Sequence, residues 1–216
     1  LRRMISGILN IPSSIKFPLN VRIIGAINID ETTHYLSPKI LDRAHIMKFD
    51  SPLLFDWTQI ADEIEENENK NLKIKFTIEE LGLRDPYPSF DKDNLFCQII
   101  TSFTKSYFQP LGIEVGLRTI RQGLNYQNIY KEQESNENLV LNNFILHKIL
   151  PKMTFDWKKK VDENRSKEDI LLEFQRVLKD NIDENLVNSK SVSVINELDE
   201  IITASRSNDG IVNYWA

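Results

Sequence analysis

The sequence predicts a mainly helical protein with a small α/β part near its N-terminus. Residues Val21–Ile27 form a short apolar run rich in β-branched side chains, which is typical of one buried strand. From about Lys92 onward, apolar residues recur at helical spacing between breaks that contain proline, glycine or asparagine. The break at Asp50-Ser51-Pro52 predicts two domains, residues 1–50 and residues 51–216.

The predicted strand runs into a polar cluster that begins with Asn28. Polar residues at this end of a strand favour a ligand site, because the carboxyl edge of a parallel sheet opens into the crevice where ligands bind. Ser37 and Pro38 then predict the N-cap and first position of a short helix that continues to about His45. The apolar residues at positions 46, 47 and 49 predict a further short strand.

Helices account for most of the remaining chain. Residues 57–68 predict an acidic helix, 72–76 a half-exposed strand and 78–81 a short helix. The strongest apolar stripe runs from about Lys92 to Gln109 and stops at Pro110-Leu111-Gly112. Further helices are predicted at about 115–131, at 139–150, from Ser166 onward and at 192–205. We expect Phe155, Trp157 and the aromatic C-terminal tail to pack against this bundle.

Residues 20–49 resemble the later part of an AAA+ P-loop ATPase module, and most closely the McrB-like NTPases of modification-dependent DNA restriction. In that resemblance Asn28 is the sensor-1 residue at the end of its strand. The helix that ends Leu41-Asp42-Arg43-Ala44 carries Arg43 as the arginine finger. The residues Asp30-Glu31-Thr32 depart from the McrB protein itself, so the resemblance leaves the choice between ATP and GTP open.

Two shorter matches extend the resemblance into the helical part. Gly116–Ile120 is similar to the sensor-2 region, with Arg118 as the candidate and Arg121, one turn further on, as the competing choice. Leu146–Lys152 is similar to a lid helix that ends in a Leu-Pro-basic motif. The resemblance implies a ring homo-oligomer that uses ATP or GTP with Mg²⁺ in the full-length protein. It also implies a nuclease subunit as partner and only indirect engagement of DNA.

These residue types suit phosphoanhydride hydrolysis, which needs a positioned water and positive charge near the γ-phosphate. An asparagine such as Asn28 orients water without carrying charge. A guanidinium such as that of Arg43 is always charged and forms a two-pronged contact with phosphate oxygens, here in the neighbouring subunit. Structural roles are the alternatives: backbone bonding by Asn28, a surface salt bridge from Arg43 to Asp42 or Glu31, and an exposed arginine on an amphipathic helix for Arg118 or Arg121.

The sequence contains no G-x-x-x-x-G-K-[ST] phosphate loop and no apolar strand that ends in paired acids. In the family it resembles, both motifs precede the sensor-1 strand. We therefore expect a C-terminal portion that begins after Walker B and that by itself neither binds nucleotide tightly nor hydrolyses it. The alternative is a helical protein-interaction module with a degenerate AAA+ remnant.

Composition narrows the class of protein. A net charge of -5 and a pI near 5.4 give no global attraction to nucleic acid, and Lys158-Lys159-Lys160 is interpreted as solvated surface. Cys97 is the only cysteine, so no internal disulfide forms, as in a reducing cytoplasm, and core filling is its expected role. His34 and His45 lack a second ligand at metal spacing, so no metal site is expected. No apolar run approaches the roughly 18 residues of a membrane span.

Overall fold

The computed structural model describes residues 23–27, 36–48, 91–133, 136–183, 187 and 192–215. Over these ranges the chain is mainly helical and carries a small two-stranded sheet, which confirms the predicted fold class. The chain divides into two compact units, residues 1–28 with 50–86 and residues 29–49 with 87–216. We call the described residues from 91 to 215 the helical body, and residues 36–48, which belong to the same unit, the Arg43 segment.

The buried strand predicted at Val21–Ile27 is wrong for its described part. Residues 23–27 lie in neither helix nor strand, and Ile24 is 96% exposed. A strand must pair its backbone groups with a neighbour and cover an apolar face, and no described segment pairs with these residues. The sequence pattern shows the apolar run, but it does not show which other segment would pair with it and bury it.

Helix α1 spans Pro38–Leu41 and is shorter than predicted. Ser37 has the extended backbone of an N-cap and Pro38 occupies the first turn, as predicted, although the serine side chain makes no capping hydrogen bond. The chain then turns, and residues 45–48 have no regular structure. The second short strand is therefore wrong for residues 46–48, while position 49 lies outside the described residues.

Helix α2 spans Leu95–Phe103 and begins with Asn94, whose side chain accepts a hydrogen bond from the amide of Cys97. It continues as a π-helical turn over Thr104–Phe108 and as the short helix α3, Gln109–Leu111. Gly112 ends the helix in the left-handed conformation (φ 89°), a conformation that glycine adopts without a Cβ clash.

Helix α4 spans Leu117–Gln133 and helix α5 spans Glu137–Phe144. Helix α5 continues through a second π-helical turn, Ile145–Ile149, and a 3₁₀ turn, Leu150–Lys152. Each π turn lies just before a proline, at position 110 or 151. Proline cannot donate to the helical ladder, and it clashes with the preceding turn, which accounts for the widened turn at both places.

Strand β1 (Thr154–Asp156) pairs in antiparallel register with strand β2 (Ile211–Asn213). Between them lie helix α6 (Lys167–Asn181) and helix α7 (Val194–Ser207). The amide of Tyr214 bonds the carbonyl of Met153, and the indole nitrogen of Trp215 donates to the carbonyl of Pro151 at 3.0 Å. The predicted docking of the aromatic tail is confirmed, as is the packing of Trp157, which is 4% exposed.

Aromatic rings form the centre of the helical body. Phe174 of α6 is fully buried and lies with its ring centroid 5.6 Å from that of Phe103 and 5.2 Å from that of Phe108, both edge-to-face. Near the N-terminal end of α2, on the same buried face as Phe103, the Phe96 ring packs edge-to-face on Phe144 of α5. Gly123 of α4 lies against both rings, and a Cβ there would stand 2.6 Å from the Phe96 ring. The glycine therefore permits the close approach of α4 to α2 and α5.

Several predicted features lie outside the described residues, namely everything predicted for residues 57–81 and the site residue at position 28. Cys97 is half-buried and packs against the core, with burial raising the pKa of its thiol. Among the described residues, no helix is both long and apolar enough to cross a membrane.

Candidate functional site

The Arg43 segment lies on the helical body where α4 begins and where α5 ends in its π turn. Asp42 is the first point of contact. Its carboxylate accepts a hydrogen bond from the Thr119 hydroxyl at 2.9 Å and lies 3.2 Å from the Arg118 guanidinium. The Lys152 ammonium is 3.5 Å from the same carboxylate. One acid therefore joins three donors that come from two separate parts of the helical body.

These contacts control the charge of the carboxylate. Partial burial by itself would raise the pKa of Asp42, but the Thr119 hydrogen bond, together with Lys152 and Arg118, lowers it below its usual value. The pKa of the nearby Lys152 is also lowered, because the effect of desolvation outweighs the attraction of Asp42. The carboxylate is consequently ionised at neutral pH, and the cations around it outnumber it.

Lys148 is the second point of contact. It lies in the π turn of Ile145–Ile149 and is only 1% exposed, which is rare for a lysine. Its Nζ donates to the carbonyl of Ala44 at 2.6 Å and to the carbonyl of Asp42 at 3.1 Å. Both carbonyls follow the end of α1, where helix geometry leaves carbonyl groups without partners. The buried amine therefore satisfies the backbone on either side of Arg43.

The third point of contact lies further along the segment. The Ile46 amide donates to the His147 carbonyl at 3.2 Å, and His147 Nδ1 lies 2.7 Å from the Ile46 carbonyl. Because a carbonyl only accepts, Nδ1 is assigned as the protonated nitrogen. Lys48 then pairs with Glu197 of α7 at 3.2 Å and lies over the Tyr214 ring. The segment is thus held along its length, from Asp42 to Lys48.

The predicted site residues are distributed as follows. Arg43 follows α1 and is exposed, and its carbonyl lies 3.5 Å from Gln122 Nε2 of α4. Arg118 is the second residue of α4, with 55% of its side chain exposed, and it pairs with the acid next to Arg43. Arg121 is exposed on α4, one turn further on. Asn28 lies outside the described residues.

Arg43 and Arg118 are therefore brought to the same face of the helical body, through Asp42. Asp42, one of the two acids considered as a partner of Arg43, pairs with Arg118, and Glu31, the other acid, lies outside the described residues. Thr119, Lys148 and Lys152 lie in stretches that the sequence pattern marks as similar to the sensor-2 region and the lid helix, but no role was predicted for any of the three. The sequence offers little evidence that these residues form a site, because a lysine in an amphipathic helix is normally solvated. Only the fold shows that Lys148 is buried.

The donor set suits an anion better than a metal ion. Across the described ranges, no group of three histidine, cysteine, aspartate or glutamate side chains is arranged to hold a metal. Asp42 is already engaged by a hydroxyl and two cations, so it is not available as a magnesium ligand. Guanidinium groups match phosphate oxygens.

The fold and site together define a mainly helical domain whose α4 and α5 hold an arginine-bearing segment against a cationic surface. The chain belongs to the family described as DUF8727, a domain of unknown function, whose model matches residues 91–210, more than half of the chain. No curated protein and no solved structure matches the chain.

The buried amine predicts a pH dependence of stability. Burial, as the main cause, and the neighbouring Lys152 lower the pKa of Lys148 from its ordinary 10.5 to about 8, against the attraction of Asp42. Between these two pH values the unfolded chain holds a proton that the folded chain has lost, so the free energy of unfolding rises with pH. The resulting rise in the free energy of unfolding is at most about 3 kcal/mol, at 1.36 kcal/mol per pKa unit.

Lys148→Met removes this contribution and leaves every other titrating group in place. We expect the difference in free energy of unfolding between the wild type and Lys148→Met, measured by urea denaturation, to grow in favour of the wild type from about pH 8 to pH 10.5. A difference that stays constant with pH would contradict a lowered pKa for Lys148.

Proposed function

We propose that this chain is the sensor, arginine-finger and lid portion of a McrB-like AAA+ NTPase that serves a DNA restriction system in the cytoplasm. The parent protein hydrolyses ATP or GTP with Mg²⁺, assembles as a ring of identical subunits and works with a nuclease subunit, so that its engagement of DNA is indirect. The observation that carries the proposal is the ion pair between Asp42 and Arg118. Arg118 is the candidate sensor 2 for the nucleotide of its own subunit, and Arg43 is the candidate arginine finger for the nucleotide of the next subunit. The ion pair links the two, because Asp42 is the residue next to Arg43.

The chemistry follows from where these two arginines lie. Arg43 is exposed, so its guanidinium is free to reach a nucleotide bound by the next subunit of a ring. There it stabilises the charge that develops on the γ-phosphate as the bond to the leaving group breaks. The two prongs of the guanidinium also orient the phosphate.

Arg118 acts on the nucleotide of its own subunit. Its salt bridge to Asp42 is largely exposed, and such pairs contribute only about 0 to 1 kcal/mol. Exchanging Asp42 for a phosphate oxygen therefore costs little. Because Asp42 immediately precedes Arg43, a change in the contacts of Arg118 acts directly on the finger that serves the neighbouring site.

A helical protein-interaction module with a degenerate AAA+ remnant is the second candidate function. It is favoured by the extent of the family match, which covers residues 91–210 and leaves out the Arg43 segment. In that case the contacts of Asp42 and Lys148 only close the surface of the helical body, and neither Arg43 nor Arg118 affects any turnover.

Mixed rings test the proposal. In the NTPase that contains this chain, Asn28→Ala and Arg43→Ala are each expected to be inactive, because every interface lacks one of the two groups. After the two variants are mixed, an Arg43→Ala subunit supplies an intact sensor 1 and its Asn28→Ala neighbour supplies an intact finger. Random mixing makes about one interface in four complete, so up to about a quarter of wild-type turnover should return.

The controls separate the two candidate functions. Mixing two preparations of the Arg43→Ala protein should restore nothing, and the 216 residues alone should show no turnover of ATP or GTP. If mixed rings form but turnover does not return, action in trans is excluded. If both single variants keep wild-type turnover, the interaction module is the better assignment.

A further inference from the structure

Lys148 occupies a position that the proposed function does not explain. An isolated ammonium group is costly to bury, and this side chain is almost fully enclosed. Its hydrogen bonds go to two backbone carbonyls and not to an acid, although Asp42 is close enough to influence its charge. A methionine of similar length would fill the same space at lower cost. The amine is therefore retained for the two bonds that it makes.

Both bonds go to the Arg43 segment. The acceptors are the carbonyls of Asp42 and Ala44, the residues on either side of Arg43. The donor comes from a π turn, an irregular helix geometry that recurs at functional sites. The neighbouring His147 holds Ile46 by two further hydrogen bonds. The π turn therefore binds the backbone just before and just after Arg43 by hydrogen bonds.

We propose that Lys148 is the positioning residue for Arg43: its buried amine fixes the backbone on both sides of the arginine, so that the exposed guanidinium is presented from a rigid base. This inference rests on the proposed function, in which Arg43 acts on the nucleotide of a neighbouring subunit. Lys148 itself touches neither nucleotide nor reacting atoms.

The expected consequence is kinetic. Without the two bonds, the carbonyls of Asp42 and Ala44 lose a buried donor and the turn that carries Arg43 can move. A displacement of about 1 Å in a group that acts on a transition state lowers rates by roughly 10²-fold. Nucleotide binding changes little, because the finger contributes mainly once charge builds up on the phosphate in the transition state.

Hydrogen exchange on this chain tests the positioning without any reference to turnover. In Lys148→Met we expect faster exchange at the amides of residues 43–48, with the exchange of α4, α6 and α7 unchanged. The matched control is Lys167→Met, since Lys167 also donates to a backbone carbonyl, that of Leu111 at 2.8 Å, but in another part of the helical body. It should leave residues 43–48 unchanged.

A second variant distinguishes a local change at residues 43–48 from a general loss of folding. Lys148→Gln keeps a polar donor and is expected to give exchange rates between those of the wild type and Lys148→Met. If both variants lose protection throughout the helical body, Lys148 supports the whole body and the proposal is overturned. Unchanged exchange at residues 43–48 in a folded Lys148→Met would overturn it equally.

Kinetics of the NTPase that contains this chain complete the test. Lys148→Met should lower kcat about 10²-fold with KM for the nucleotide nearly unchanged, and the double variant Arg43→Ala/Lys148→Met should be no slower than Arg43→Ala alone. If Arg43→Ala abolishes turnover but Lys148→Met does not change it, only the positioning role fails. If Arg43→Ala itself leaves turnover unchanged, the proposed function fails.

Discussion

Under the proposed function, replacing Arg43 with alanine is expected to lower the kcat of the NTPase by about 10³- to 10⁵-fold, the range known for arginine fingers. Affinity for ATP or GTP should stay near the wild-type value, because the finger contributes mainly once charge builds up in the transition state. Steady-state turnover together with equilibrium nucleotide binding measures the two quantities separately.

The structure makes this variant informative. The Arg43 side chain is exposed, and the bonds that hold the segment come from Asp42, the carbonyl of Ala44 and residues beyond them. Alanine at position 43 therefore removes no described buried contact, and the free energy of unfolding should change by no more than about 0.5 kcal/mol. A loss of turnover would then reflect lost chemistry and not lost folding.

Two further substitutions sharpen the result. Lys39→Ala removes a different exposed cation, one that lies within α1, and should leave turnover unchanged. Arg43→Lys keeps the charge but loses the two-pronged contact, so its turnover should lie between those of the wild type and Arg43→Ala. Wild-type turnover in Arg43→Ala would remove Arg43 from the mechanism.

Replacing Phe174 with alanine is expected to have the largest effect on stability, a loss of about 3 to 5 kcal/mol. Phe174 is fully buried, and its ring contacts three other aromatic rings, those of Phe103, Tyr107 and Phe108. The variant leaves a cavity between α6 and the helix formed by α2 and its π turn. Many domains are stable by only about 5 to 15 kcal/mol, so this loss is a large share of the total.

Urea denaturation of the 216-residue chain measures this effect. The matched control is Leu95→Ala in α2, a large apolar residue that is 55% exposed, for which a change within about 0.5 kcal/mol is expected. A cost below about 1 kcal/mol for Phe174→Ala would mean that the aromatic cluster is not the centre of the core.

The helices could largely be predicted from the sequence, because their signals are local. Ser166 and Asp169 form a capping box at the start of α6, two residues whose spacing is visible in the sequence. Pro110, Leu111 and Gly112 were expected to end the long helix, and the α2–α3 helix does end at Gly112. The π turns were not predicted, since the sequence shows the proline but not how the preceding turn accommodates it.

The candidate site could be predicted only in part. The stretches that contain Arg43, Arg118 and Lys148 were each identified, and the structure brings all three to one face. What the sequence did not predict is the partner of each group. Asp42 contacts Arg118, 76 positions further along the chain, while Lys148 reaches back 104 positions to the Ala44 carbonyl.

The sequence by itself determined that the chain is mainly helical, about where most of the described helices begin and end, and that its aromatic tail packs on the bundle. These features depend on hydrogen bonds, caps and apolar spacing within a few residues. Only the tertiary structure decided that Lys148 is buried, that Asp42 collects three donors and that residues 23–27 are exposed. Burial and polar pairing depend on which distant surfaces meet, and that is a property of the packed molecule.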